Sequence, residues 1–295
     1  MSLGILNNIP AIYAQNYLSQ SQGNLQNTLK QLASGSRINS GADDAAGLSL
    51  ADGLAANNAA LTQSATNASQ GVGLLQVADG ALSQVTNLLN RAVTLSTEAS
   101  NGTLNAAQQS SANLEFQSIV GEIATIGSTT TYNNNTVFGS TVAIVTGDGS
   151  AAGSFTDSLT FAPLTKASVG EDTTGVITAA GGSISYVPGA GTSLAANDLT
   201  SAANAKTALT AVFSAVQNVA QQRGYIGSQI NTLQAASSVE STQGENILSA
   251  ENSIRATDFG QASSNLSKFQ ILSQTGISAL AQANSVQQQV LKLLQ

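Results

Sequence analysis

The stretch SGSRINSGADDAAGLSLADGL, residues 34–54, sets two adjacent carboxylates, Asp43 and Asp44, near one arginine, Arg37, and two glycines, Gly35 and Gly41. Paired carboxylates can hold a divalent metal or divide general acid and base work between them. Neighbouring residues on a helix, however, point about a third of a turn apart, so these two do not converge on one atom unaided. A different reading outweighs the catalytic one. Ser40 to Asp43 fits an S-x-x-D capping box, and acids at a helix N-terminus complement its dipole. Arg37 is then expected to pair with one of the acids across a joint between two helices.

The run Gly147-Asp148-Gly149 suggests a calcium loop, but one Asp among Gly and Ser lacks the repeated oxygen ligands calcium needs. A hairpin turn is the favoured reading. Elsewhere the means for chemistry are few. The 295 residues include no Cys, no His and no Trp, and only 8% are charged. The commonest general base and metal ligand is therefore missing, as are thiolate nucleophiles, zinc-finger ligands and disulfides. No cofactor is expected, and an enzyme is nearly excluded. The net charge is −7 with only 9 Lys and Arg, so nothing neutralises a phosphate backbone or an anionic membrane. Neither nucleic-acid binding nor membrane insertion is expected. The opening MSLGILNNIPAIYAQNYL has no basic n-region and interrupts its apolar residues with Asn, Gln and Ser, so no cleaved leader is predicted.

Three zones position these residues. The first is helical. Ala14, Leu18, Leu25, Leu29 and Leu32 fall at helical spacing and predict a helix over 11–33, with Asn7 or Asn8 as N-cap, Pro10 in the first turn and Gly35 as the stop. From about Asp43 a far longer pattern follows. Its stripe is Leu74, Val77, Ala81, Val85, Leu88, Ala92 and Leu95, flanked by Val72, Leu75, Leu82 and Leu89, and it ends at the Asn101-Gly102 turn. Such a helix spans roughly 80 Å at 1.5 Å per residue. That length without internal caps argues for a coiled-coil-like rod. A third helix, about 105–128, carries Phe116, Ile119, Ile123 and Ile126 on one face.

The middle zone changes character at TTTYNNNTVFG, residues 129–139. The runs TVAIV, SFTDSLTF, GVITAA and SISYV, separated by Gly-rich turns, read as hairpins in a small β-rich insert. A second helical arm starts near Asp198. Leu209, Val212, Val216, Val219, Ile226, Ile230 and Leu233 form a heptad seam with Arg223 as its one polar intrusion. After the joint RATDFG, the segment 259–295 carries one stripe of Phe269, Leu272, Gly276, Ala279, Ala283, Val286, Val290 and Leu293, and part of another in Ile277, Leu280, Leu291 and Leu294. A helix with two apolar stripes must be covered on more than one side. Lys268 and Lys292 are its only charges, and Lys30 is the only one among residues 1–36. Both termini look built for burial, and other copies of the chain could supply it.

With LASGSRINSGADDAAGLSLADGL near one end, SNGT after the long helix and SIRATDFGQASSNLSKFQILSQTGISALAQANSVQQQVLKLL at the other, the sequence resembles bacterial flagellin. The agreement covers roughly the first 140 and last 95 residues; the middle carries no recognisable motif, as expected of the family's hypervariable insert. The resemblance implies a mainly α fold: an elongated antiparallel helical rod with the N- and C-terminal helices paired as a coiled coil, plus a small β-rich insert. It divides the chain into an inner coiled-coil core (1–40 with 258–295), a helical rod (41–131 with 200–257) and an outer insert (132–199). It implies a secreted structural subunit that self-assembles into the flagellar filament for motility. The partners it implies are other copies, an export chaperone on the C-terminal segment, the flagellar type III export apparatus, the filament cap and hook-associated proteins. Assembly would rest on Leu18, Leu25, Leu29 and Leu32 with Phe269, Leu272, Ala279, Ala283, Val286, Val290 and Leu293, and the joint on Arg37, Ser40, Asp43 and Asp44.

In many flagellins an innate-immune Toll-like receptor reads the outer rod through an Arg followed by Glu and Leu on the long helix, and a Glu on the next. Arg91, Leu95 and Glu115 match that pattern, but Thr94 stands at the first Glu position. The plainer reading keeps Arg91 as a solvated surface residue and Leu95 as core. The H-E-x-x-H metalloprotease found in some members cannot exist without His. Two alternatives share these features: a hook–filament junction protein, made less favoured by the full flagellin-like C-terminal end, and a surface adhesin or glycan-presenting protein using the insert.

Overall fold

The computed structural model describes residues 8–148, 154–167, 169, 175–179, 182–186 and 193–293. Five helices occur among them: α1 (Ile9–Ser34), α2 (Ala45–Ser100), α3 (Ala106–Thr129), α4 (Ala202–Arg255) and α5 (Phe259–Leu293). Six short strands separate α3 from α4, pairing as three antiparallel hairpins: β1 (Thr131–Tyr132) with β2 (Asn135–Thr136), β3 (Thr141–Gly147) with β4 (Ser154–Thr160), and β5 (Gly175–Ala179) with β6 (Gly182–Tyr186). The fold is mainly α with a small β-rich insert. The chain divides into two compact units, Met1–Ala56 with Asn246–Gln295, and Asn57–Glu245.

In the larger unit the core is a heptad seam between α2 and α4. On α2 one buried line runs Ser64, Ala68, Gly71, Leu75, Ala78, Leu82, Val85, Leu89, Ala92, Ser96 and Ala99, alternating steps of three and four, with Leu61, Leu74 and Leu95 buried beside it. On α4 the same alternation runs through Ala205, Ala208, Val212, Ala215, Val219, Gln222, Ile226, Gln229 and Leu233, then Glu240 and Gly244. A 3.5-residue period keeps one line of each helix against its partner. Phe116, Ile119, Val120 and Ile123 of α3 complete this core. Truncating one of its fully buried leucines, such as Leu82, removes roughly 2–5 kcal/mol of stability.

Two details depart from the sequence pattern. The flanking line Leu75, Leu82 and Leu89 lies deeper than the main stripe expected on α2, and Val77 of that stripe is 38% exposed. On α4, Gln222 occupies the seam and Arg223 stands beside it, bonded to Asp79 through Nε at 2.8 Å and Nη2 at 3.3 Å. Apolar spacing alone does not choose between adjacent lines on a helix. The residues opposite do.

The insert begins with a hairpin that composition did not signal. Asn133 and Asn134 both take positive φ, 48° and 65°, which a two-residue turn between right-twisted strands requires. Next, β3 and β4 pair from Thr141↔Thr160 to Gly147↔Ser154, and their Ile144 and Leu159 are buried. Ile144 enters where Gly71 leaves α2 bare; a methyl group on Gly71 would occupy the same space. Gly147 ends β3 and Asp148 follows; Gly149 and the rest of the expected turn lie outside the described residues.

Candidate assembly surface

The smaller unit joins α1 to α5. Asn8 starts α1: its Oδ1 accepts from the Ala11 amide at 3.0 Å, while its Nδ2 donates to the Ala283 carbonyl of α5 at 3.2 Å. Pro10 follows in the first turn, where a missing N–H costs nothing. Gly35 ends the helix at φ 68°, a left-handed conformation that glycine adopts without strain. Ala11, Ala14, Leu18, Ser21, Leu25, Thr28 and Leu32 are the covered positions of α1, again alternating three and four. Facing them on α5 are Ala262, Leu266, Phe269, Ser273, Gly276, Leu280 and Ala283.

This seam is thinly covered: only Thr28 on α1 and Ala262 on α5 are buried, the rest being half-buried. The expected assembly residues therefore fall into two sets. Leu18, Leu25, Leu32, Phe269 and Ala283 lie on the seam between α1 and α5. Leu29, Leu272, Ala279 and Val286 do not, and are exposed. The α5 stripe expected from sequence was drawn across two faces; Leu280, placed on the second stripe, belongs to the seam. The side chains of Val290 and Leu293 lie outside the described residues.

The outward faces carry large apolar side chains among Gln, Asn and Ser. Ile9, Ile12, Tyr13 and Tyr17 on α1 are 52–68% exposed, and Ile271, Leu272, Ile277 and Val286 on α5 are 38–65% exposed. Tyr13 and Tyr17 were not singled out from sequence, although an aromatic pair four residues apart in a nearly uncharged helix is a legible signal. Large apolar side chains left exposed in this number point to an interaction surface.

The joint is built from hydrogen bonds. The Arg37 amide donates to the Arg255 carbonyl at 2.7 Å and the Thr257 amide to the Gly35 carbonyl at 3.0 Å, lacing residues 35–37 to 255–257. The expected pairing of Arg37 with an acid gives way to a backbone contact: its guanidinium donates to the Ile254 carbonyl at 2.8 Å. The acids are engaged locally. Asp43 Oδ2 accepts from the amides of Asn39 and Ser40 and from the Ser40 hydroxyl, at 3.1, 2.9 and 3.0 Å. The Asn39 amide foremost, then the Ser40 hydroxyl, hold the Asp43 carboxyl below its ordinary pKa. The residue that caps α2 is Asp44, whose Oδ1 accepts from the Gly47 amide at 2.8 Å. The S-x-x-D box is thus half formed and belongs to the turn before the helix, because α2 starts at Ala45 and not at Gly41. Neither carboxylate faces the other in a shared site, and among the described residues no three His, Cys, Asp or Glu side chains gather as a metal centre would need.

In the larger unit Arg91 and Glu115 meet. Nε and Nη2 of Arg91 donate to the two carboxylate oxygens at 2.7 and 3.0 Å, raising the arginine pKa and lowering that of the glutamate. Leu95, grouped with them as a receptor contact, is 3% exposed and belongs to the core beneath. The Thr94 hydroxyl donates to the Asn90 carbonyl of its own helix. Only Arg91 and Glu115 of the expected triplet lie on the surface.

Residues 5–143 match the family model of the bacterial flagellin N-terminal helical region, and residues 209–294 that of the C-terminal helical region. A flagellin of Halalkalibacterium halodurans is 32% identical over 98% of this chain and 99% of its own. The chain belongs to the bacterial flagellin family. A flagellar filament 33 kDa core protein of Treponema phagedenis is 30% identical, and a flagellin of Listeria monocytogenes 29%, each aligned over at least 97% of both chains. Flagellins are structural proteins, and this one is a subunit of the flagellar filament. The junction and adhesin readings are not favoured. Among the described residues no helix is long and apolar enough to cross a membrane.

Proposed function

We propose that this flagellin polymerises through the outward faces of α1 and α5, which neighbouring copies cover, and works mechanically, without catalysis. The observation that carries the reading is the row of exposed Ile9, Ile12, Tyr13, Tyr17, Ile271 and Ile277 on helices almost free of charge. Burying such surface contributes about 25 cal/mol per Å², and few charges stand there to be desolvated. On this reading residues 1–40 with 258–295 form the inner layer of the filament, 41–131 with 200–257 the outer rod, and 132–199 the projecting insert. The subunit reaches the extracellular filament through the type III export apparatus, is held beforehand by a chaperone on its C-terminal segment, and is added beside cap and hook-associated proteins. The lack of Cys and of thiol chemistry is compatible with passage as an unfolded chain.

Electron microscopy of purified protein after seeding tests this. Long helical filaments are expected from the full chain and from a chain lacking 140–198. Filaments from a chain lacking 260–295 would overturn the terminal-burial reading.

A further inference from the structure

The α2–α4 seam contains a carboxyl group. Glu240 is 6% exposed, and its Oε1 accepts from the Ser64 hydroxyl across the seam at 3.1 Å and from the Gly147 amide of β3 at 2.8 Å. The Gly147 amide also reaches Ser64 Oγ. The other oxygen, Oε2, is buried with no hydrogen-bond partner. Leaving a buried acceptor unmade is costly, and an apolar residue would avoid that cost. Something therefore balances its presence.

The rest of the seam explains what. Ser64 faces Glu240 and Gly71 faces Leu233, seven residues on along α2 and seven back along α4. The same antiparallel register sets Leu82 opposite Gln222 and Leu89 opposite Ala215. A slip of one heptad would set Leu82 opposite Ala215, Leu89 opposite Ala208 and Val85 opposite Val212, which again places apolar side chains against apolar side chains. A seam of repeated Ala, Val and Leu does not by itself choose between these alignments. Ser96, Gln222 and Gln229 are also buried in the seam, but Ser64 and Glu240 are bonded to each other across it, and a polar contact of that kind specifies register. The Arg223–Asp79 pair is more than a third exposed on both sides and contributes less.

We infer that Ser64 and Glu240 are the register pin of the α2–α4 pair, and that the same carboxyl couples this alignment to the insert by holding the end of β3. Only when the helices are in register do Ser64 and Glu240 stand together to receive the Gly147 amide. The insert thus docks on correctly aligned helices.

The absence of Cys makes the test direct. Asn58 lies beside Gly244 in the native register, whereas a one-heptad slip brings Asn58 beside Ser237. The pairs Asn58→Cys/Gly244→Cys and Asn58→Cys/Ser237→Cys are placed in the full chain, refolded from denaturant and oxidised. In the otherwise unaltered chain, and with Glu240→Gln, which keeps the Oε1 acceptor, only the 58/244 disulfide is expected. With Glu240→Leu the 58/237 disulfide should also form, and deuterium uptake by segment 141–147 should rise about tenfold, as for loss of one buried hydrogen bond. Ser64→Ala serves as a second, milder variant expected to shift both readouts the same way. A single 58/244 product from refolded Glu240→Leu, whatever the uptake, would overturn the inference.

Discussion

Leu18 of α1 and Gly276 of α5 are fitted so closely that a Cβ on the glycine would stand 3.2 Å from Leu18 Cδ1 and 3.5 Å from its Cβ. The two helices meet with backbone against side chain, and a β-branched residue here must displace the Leu18 side chain. Gly276→Val is therefore expected to weaken the α1–α5 pair by roughly 1–3 kcal/mol, the usual cost of overpacking. Seeded polymerisation followed by electron microscopy should give shorter or no filaments, while hydrogen exchange in residues 205–233 stays unchanged.

The start of α2 offers a comparison between two candidate caps. Asp44→Ala removes the acceptor for the Gly47 amide and should lower thermal stability by about 0.5–2 kcal/mol, whereas Ser40→Ala, outside the helix, should cost less. Equal losses measured by calorimetry would return the cap to Ser40.

Acid should loosen the contact between α2 and α3. The Arg91 guanidinium keeps the Glu115 carboxyl below its ordinary 4.5, so the pair's contribution is present above that value and is lost as pH falls through the lower, folded-state pKa. The Glu115→Gln variant should consequently show a shallower fall in melting temperature below about pH 4.5 than the parent chain. Identical acid profiles would remove the pair from the account.

The core should answer to depth and not to hydrophobicity. Leu82→Ala is expected to cost roughly 2–5 kcal/mol, and Val77→Ala, on a side chain 38% exposed, far less. Denaturant titration of the two variants checks the order.

Much of the fold is written in local chemistry. The spans of α1, α2 and α3, the stop at Gly35 and the positions of β3 to β6 follow from spacing, caps and turn residues within a few positions of each other. What the sequence did not reveal depends on partners far along the chain. Whether Leu82 or Val77 is buried, or Gln222 or Arg223 enters the seam, is set by the helix opposite. The Ser64–Glu240 contact joins residues 176 apart. On α5 the pattern held two stripes, and nothing local says which meets α1 and which is left for other copies. The charge of Arg37 is visible in a sequence and points to an acid, while the Ile254 carbonyl that it meets is not. The Asn133-Asn134 turn is legible in kind, since Asn tolerates positive φ, but Gly-containing runs are the stronger turn signal.

The outward placement of Tyr13 and Tyr17 has an optical consequence. With no Trp to drain excitation, the chain's ultraviolet emission comes from five tyrosines, and two of these sit on the face proposed to be covered by neighbouring copies. If neighbouring copies cover that face as proposed, the tyrosine emission from α1 should change as each subunit passes from solvent into the filament.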